Sequence, residues 1–212
     1  MVYSNTILYS SAIFASAILI FNLSEIYTFS NYVRKTVSSG SIHSLMKELA
    51  IASKIDRGNS IFTITLLWAS MIISWIIFTE SSGRFSFPGP LYMYLLIGTV
   101  VISSGIIMRR WAMGTLGNLF THLLTIQKGH KVISKGPYLI VRHPSYLGGI
   151  LITLGFGIAM ANPISLAFCI IIPIIAYSIR VNKEEAVLIS HLGSEYKRYM
   201  GKVHYKIIPW IW

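Results

Sequence analysis

Residues 146–179 read YLGGILITLGFGIAMANPISLAFCIIIPIIAYSI, and no aspartate, glutamate, lysine or arginine interrupts them. Two apolar runs, 146–161 and 164–179, meet at Asn162-Pro163. A helix needs roughly 20 residues to cross about 30 Å of hydrocarbon, so each run alone is short for a span. The pair is expected to form a tight helical hairpin whose helices continue past the apolar stretch into a polar layer. Cys169, the only cysteine, lies in the second run. It leaves no disulfide framework and suits core packing or a lipid-facing position.

Three more apolar runs precede the pair, at 7–29, 61–78 and 91–108. Asn22 and Glu25 interrupt the first near its end, and no lysine or arginine precedes Arg34. Without the basic n-region of a secretory leader, the first run is read as a retained span. Of the 212 residues, 54% are hydrophobic and 12% are charged. Soluble domains carry about a quarter charged residues. The balance predicts an all-α, multi-pass transmembrane helical bundle of about five spans rather than a soluble enzyme with an anchor.

The net charge of +11 would suit nucleic acid only if it formed a patch on a soluble face. Here the lysines and arginines cluster between apolar runs. Arg34, Lys35, Lys47, Lys54 and Arg57 follow the first run. Arg109, Arg110, Lys128, Lys131, Lys135 and Arg142 follow the third, and Arg180, Lys183, Lys197, Arg198, Lys202 and Lys206 follow the fifth. Only Arg84, before Pro88-Gly89-Pro90, falls elsewhere. Five spans with the N-terminus outside place all three clusters on the cytoplasmic side, as the positive-inside bias requires. No nucleic-acid partner is expected.

Residues 1–108 are therefore expected to form N-terminal membrane helices, with a cytoplasmic loop at about 31–60. In that loop Ile42, Leu45, Met46, Leu49 and Ile55 recur at helical spacing, with Lys47, Lys54 and Arg57 among the polar positions. A basic amphipathic helix of this kind lies on a membrane surface as a connector, with substrate gating as the sharper alternative.

Residues 109–212 carry the chemistry. The stretch from Arg109 to Arg142 is polar, glycine-rich and aromatic, and is long for a mere connector in a bundle. Gly136-Pro137 and His143-Pro144 mark turns. Ser145 is placed to cap the following helix, and Arg142 and His143 at its start would make an anion-friendly site of amides, dipole and cation. His122, His130 and His143 are spaced without a ligand pattern, so no metal is expected. Arg180 and Glu184 lie four apart, on one helix face, where an ion pair within the helix is the plain reading.

The string from His130 through Val132, Gly136 and Tyr138, then Arg142-His143-Pro144-Ser145-Tyr146-Leu147-Gly148, resembles the core of the isoprenylcysteine carboxyl methyltransferases and their phospholipid methyltransferase relatives. Asn162-Pro163, Arg180, Glu184-Glu185, Leu188, Leu192-Gly193, Glu195-Tyr196, Tyr199, Val203 and Ile208-Pro209 continue it in order, over about Arg109 to Trp212. Leu192 stands where the family often has phenylalanine. The resemblance implies S-adenosylmethionine in a cytoplasmic pocket covered by the C-terminal segments. It implies cofactor contacts from His130, Val132, Gly136, Tyr138, Arg142, His143, Pro144, Tyr146 and Glu185, and catalytic roles at the methyl acceptor for Arg180 and Glu184.

Methyl transfer from a sulfonium is an in-line displacement that rewards alignment of the reacting atoms. A carboxylate acceptor is already ionised and needs orientation and desolvation, for which Arg180 is suited. An amine acceptor would need Glu184 as a base. The expected reaction is carboxyl O-methylation of an isoprenylcysteine-type substrate drawn from the membrane, with phospholipid amine N-methylation as the alternative. The tail pattern also resembles NADPH-using sterol reductases, which are longer chains with more spans. A transporter or scaffold would be the non-catalytic reading, but no internal repeat supports a transporter. Tyr205, Trp210 and Trp212 are expected to anchor the tail at the membrane interface.

Overall fold

The computed structural model describes residues 58–81, 85–120 and 131–212, together with Ser16, Tyr27, Ser30, Arg34, Ala50, Ser53, Lys54 and Asp56. The expected first span at 7–29, most of the amphipathic connector, His122 and His130 lie outside the described residues. Within them the chain is helical: α1 (Asn59–Glu80), α2 (Leu91–Leu116), α3 (Pro144–Ala159), α4 (Pro163–Leu192) and α5 (Ser194–Lys202), with short 3-10 turns at Gly117–Leu119 and Gly136–Leu139. Helices α1, α2 and α4 are long and apolar enough to cross a membrane, while α3 is a shorter apolar helix. The chain is an integral membrane protein by this measure.

Local chemistry sets the ends. Pro90 and Pro144 stop backward propagation of α2 and α3, because the residue before a proline is pushed out of the helical region. Asn162 caps α4: its Oδ1 accepts from the amides of Ile164 at 2.9 Å and Ser165 at 3.1 Å. Gly193, with φ of +53°, closes α4 and opens α5. Two expectations change here. The polar stretch after Met108 is not a loop from its start, because α2 continues to Leu116 and carries Arg109, Arg110 and Trp111 with it. Of the hairpin pair only α4 runs well past its apolar stretch, since His143-Pro144 fixes where α3 begins.

Helices α2 and α3 meet backbone to backbone. A Cβ added at Gly98 would lie 2.5 Å from the Gly155 carbonyl, and one at Gly105 would lie 2.7 Å from the Gly148 carbonyl. Two glycine pairs thus let the helices approach along one antiparallel seam. In hydrocarbon such close packing supplies association that water would otherwise drive. Gly149 likewise yields its side-chain space to the Tyr177 hydroxyl of α4.

Helices α1 and α4 are joined by polar contacts instead. Ser74 donates to the Ser165 carbonyl at 2.9 Å, and Ser165 donates to the Ser74 carbonyl at 2.7 Å. Cys169 is buried beside them, its Sγ 3.1 Å from the Ser74 hydroxyl, so it packs in the core and not against lipid. Pro173 removes one backbone bond inside α4 and is buried. Ile61, Tyr92, Leu96, Val100, Ile107 and Ile171 face outward, as a lipid-exposed surface requires.

The bundle has two distinct ends. At one, Phe87 donates to the Ala161 carbonyl at 2.7 Å and Asn162 reaches Ser81 at 3.3 Å. At the other, Arg109, Arg142, Arg180, Glu184 and Glu185 gather with the first turn of α1. The charged side chains therefore gather at one pole of the bundle.

Replacing Gly105 with leucine should destabilise the protein by about 1–3 kcal/mol or more, as overpacking does. Gly114, on the same helix with open space around its missing Cβ, is the control: Gly114→Leu should leave the thermal midpoint in detergent unchanged or raise it.

Candidate active site

The turn at Gly136–Leu139 leads through Val141 into Arg142 and His143, which sit directly ahead of α3. The C-terminal tail returns alongside them. The Arg142 amide donates to the Tyr205 carbonyl at 3.0 Å, and the His143 amide donates to the Lys206 carbonyl at 2.8 Å. The Arg142 guanidinium donates to Glu185 Oε1 at 2.7 Å through Nε. Its Nη1 donates to the carbonyls of Val203 at 2.7 Å and His204 at 2.9 Å. One buried cation thereby ties the start of α3 to α4 and to the tail. The helix start expected to welcome an anion is instead taken up by the protein's own carboxylate and carbonyls.

Glu185 is the acid at the centre of this knot. Besides Arg142, its Oε1 lies 3.3 Å from His143 Nε2, and its Oε2 lies 3.4 Å from Lys206 Nζ. Lys206 also donates to Asn182 Oδ1 at 2.9 Å. His143 stacks on Tyr146 with ring centroids 5.5 Å apart, and Tyr146 stacks on Tyr177 at 4.9 Å.

A second set adjoins it. The Tyr146 hydroxyl donates to Glu184 Oε2 and accepts from Arg180 Nε at 2.7 Å. The phenol of α3 therefore stands between the two α4 residues that the plain reading paired directly. Arg180 is 7% exposed, and its carbon centre lies over the Tyr146 ring at 5.5 Å. Its Nη1 donates to the Ser60 hydroxyl at 2.7 Å. Glu184 keeps a partly exposed carboxylate, 3.9 Å from His143 Nδ1.

The structure thus brings Arg142, His143, Tyr146, Arg180, Glu184 and Glu185 together, with Pro144 buried at the first position of α3. Tyr138 is buried next to them, and its carbonyl accepts from the Tyr199 hydroxyl at 2.8 Å. Val132 packs with Tyr196, Tyr199 and Val203. Burial pushes the phenols of Tyr138, Tyr196 and Tyr199 well up, and carboxylate charge from Glu184 and Glu185 adds to it, so all three remain neutral donors at physiological pH. Gly136 sits apart from the charged cluster, against Trp111 and Thr115 of α2.

Ser145 does not cap α3. The N-cap is His143, without a side-chain bond, and the Ser145 hydroxyl accepts from Arg109 at 2.9 Å. Trp212 packs on the Ile150–Tyr177–Val181–Ile207 cluster, whereas Trp210 is exposed. Sequence reasoning missed Asp56, Asn59 and Ser60, all buried. One signal was available, since Asp56 is one of only seven acids and sits a turn or so before an apolar run. Among the described residues no group of histidine, cysteine, aspartate or glutamate could hold a metal.

Residues 96–190 match the model of the isoprenylcysteine carboxyl methyltransferase (ICMT) family. A probable protein-S-isoprenylcysteine O-methyltransferase of Oryza sativa subsp. japonica is 34% identical over 110 residues, covering 51% of this chain and 58% of the relative. The protein-S-isoprenylcysteine O-methyltransferase of Xenopus laevis is 30% identical over 132 residues, 61% of this chain and 46% of the relative. The chain spans about half the length of the curated relatives it matches. A solved eukaryotic intramembrane Ras methyltransferase, an isoprenylcysteine carboxyl methyltransferase, superposes with a TM-score of 0.55 at 22% identity, covering 89% of this chain and 68% of that one. The membrane fold is therefore shared, and the resemblance read from the sequence is borne out.

Arg142→Met should cost about 3–5 kcal/mol by stranding Glu185, and should speed tryptic cleavage at Lys202 and Lys206 as the tail loosens. Adding Glu185→Met should recover a large part of the loss, because replacing both partners of a buried pair is close to neutral.

Proposed function

We propose, on the premise that residues 96–190 carry the ICMT-family core, that this chain methylates the carboxylate of an isoprenylcysteine-type lipophilic acceptor, using S-adenosylmethionine. The observation that carries the reading is the Tyr146 hydroxyl held between Arg180 and Glu184, beside the buried Arg142–Glu185 knot. A fixed cation and an oriented phenol stand where α4 leaves its apolar stretch. That is where a lipid-soluble acid and a water-soluble donor can meet.

The residues suit the cofactor. The Glu184 carboxylate, partly exposed beside the stacked His143, Tyr146 and Tyr177 rings, would meet the cationic part of that ligand. Bound S-adenosylmethionine would supply an electrophilic methyl carbon on its sulfonium. On the donor side stand Val132, Tyr138, His143, Pro144, Tyr146 and Glu185, with His130 and Gly136 assigned by resemblance. Arg142 serves that side chiefly by holding the tail in place. Residues 109–212 make up the catalytic core, on the cytoplasmic face, with the N-terminus outside.

On the acceptor side Arg180 orients the carboxylate by charge-assisted hydrogen bonds. Tyr146 keeps Arg180 in position and shares its charge, which prevents the cation from holding the nucleophile too tightly. Glu184 accepts the Tyr146 proton in a hydrogen bond and needs no proton from the acceptor, because a carboxylate arrives ionised. A buried arginine at this point favours an anionic acceptor over a protonated amine.

Detergent-purified protein should bind S-adenosylmethionine saturably in calorimetry. With methyl-labelled donor and an S-prenylcysteine carboxylic acid, it should form a product whose label alkali releases, as an ester requires. Base-stable label in phospholipid headgroups would replace this reading with amine methylation, and no cofactor binding would end it. Arg180→Ala and Arg180→Lys should lower kcat/KM about tenfold or more while cofactor affinity stays within about twofold. Equal losses in both quantities would remove Arg180 from the acceptor side.

A further inference from the structure

Three buried polar residues surround the start of α1, outside the segment that matches the family. Asp56 is 2% exposed, and its carboxylate accepts from the Ser60 amide at 2.9 Å and the Ser60 hydroxyl at 2.7 Å. The hydroxyl has one proton, and Asp56 takes it. The remaining lone pairs are therefore turned to the Arg180 guanidinium, whose Nη1 donates at 2.7 Å. A continuous line runs from Asp56 through Ser60, Arg180 and Tyr146 to Glu184. It holds Arg180 through a different nitrogen from the one that bonds Tyr146.

Asn59 is the neighbour of Ser60 in the same turn and is also 2% exposed. Among the described residues, neither its amide nitrogen nor its amide oxygen has a hydrogen-bond partner. Buried polar atoms are almost always paired, and an unpaired one calls for an explanation such as strain, a water, an ion or a ligand. Asn59, Ser60 and Thr63 are all buried on this first part of α1, the helix that packs on α4.

We infer that this turn is the polar wall of the acceptor subsite: Asp56 and Ser60 position Arg180 for the acceptor carboxylate, and the Asn59 amide receives a polar group next to that carboxylate. The inference rests on the methyltransferase reading. It makes Asp56 and Ser60 positioning residues, acting through Arg180, and Asn59 a residue that touches the acceptor.

The test compares wild type with Ser60→Ala, Ser60→Thr and Asn59→Leu, using an N-acylated S-prenylcysteine as acceptor. Ser60→Ala should lower acceptor kcat/KM about tenfold or more with cofactor affinity within about twofold, and Ser60→Thr should restore most of it. Asn59→Leu should raise acceptor KM about tenfold while the thermal midpoint holds or rises, since an unpaired amide has been removed. A purely structural turn would lower the midpoint and leave KM alone. Wild-type kinetics in both Ser60→Ala and Asn59→Leu, or matched losses of cofactor affinity, would overturn the inference. If wild type itself fails to methylate this acceptor, the methyltransferase reading has failed instead. Phenylglyoxal labelling then judges the turn's hold on Arg180: faster modification of Arg180 in Ser60→Ala supports it, and an unchanged rate overturns it.

Discussion

The Arg142 guanidinium is shared among one carboxylate and two carbonyls that belong to separate parts of the chain. Everything at the polar end of the bundle follows from that division. Glu185 can be buried because Arg142, His143 and Lys206 surround it. The tail can lie across the start of α3 because its carbonyls find donors there. Buried charge is tolerated only when such partners are complete, and here the completeness joins α3, α4 and the residues after α5 in one unit. Tyr199 of α5 then bonds the Tyr138 carbonyl, and Tyr196 and Tyr199 pack with Val132.

Below this knot the helices are held by two different devices. The α2–α3 seam depends on missing side chains, with glycine facing glycine at two levels. The α1–α4 seam depends on hydroxyls that exchange hydrogen bonds with the opposite backbone. Both suit a medium in which apolar side chains gain nothing by leaving lipid for one another. The second device continues upward along α1 into Ser60, where the partner is no longer a carbonyl but Arg180. A packing motif thus grades into a site.

Much of this was legible in the residues. The charge-free stretch at 146–179 and the other apolar runs announced the helices, because hydrocarbon length leaves few alternatives. Arg142, His143, Tyr146, Arg180, Glu184 and Glu185 were each singled out, and they meet. What sequence could not supply was the wiring. Spacing along one helix suggested that Arg180 pairs with Glu184, but Tyr146 from another helix enters between them. Ser145 had the chemistry of a cap, yet Arg109 claimed its hydroxyl. Arg142 looked like a ligand cation and proved to have protein partners. Such outcomes depend on which long-range neighbour arrives, and periodicity does not encode that. Asp56 and Ser60 escaped for the same reason, since their partner lies on α4.

The brevity of α3 has a consequence for the lipid around it. Sixteen helical residues rise about 24 Å, less than the roughly 30 Å of an ordinary hydrocarbon layer. A short apolar helix is met by local thinning of the bilayer or by flanking polar side chains reaching for the interface, each at a cost that grows with each ångström of mismatch. Eleven of the sixteen residues of α3 are buried in the bundle, so neighbouring helices cover most of that short length. The length of this helix is set by where one proline starts it.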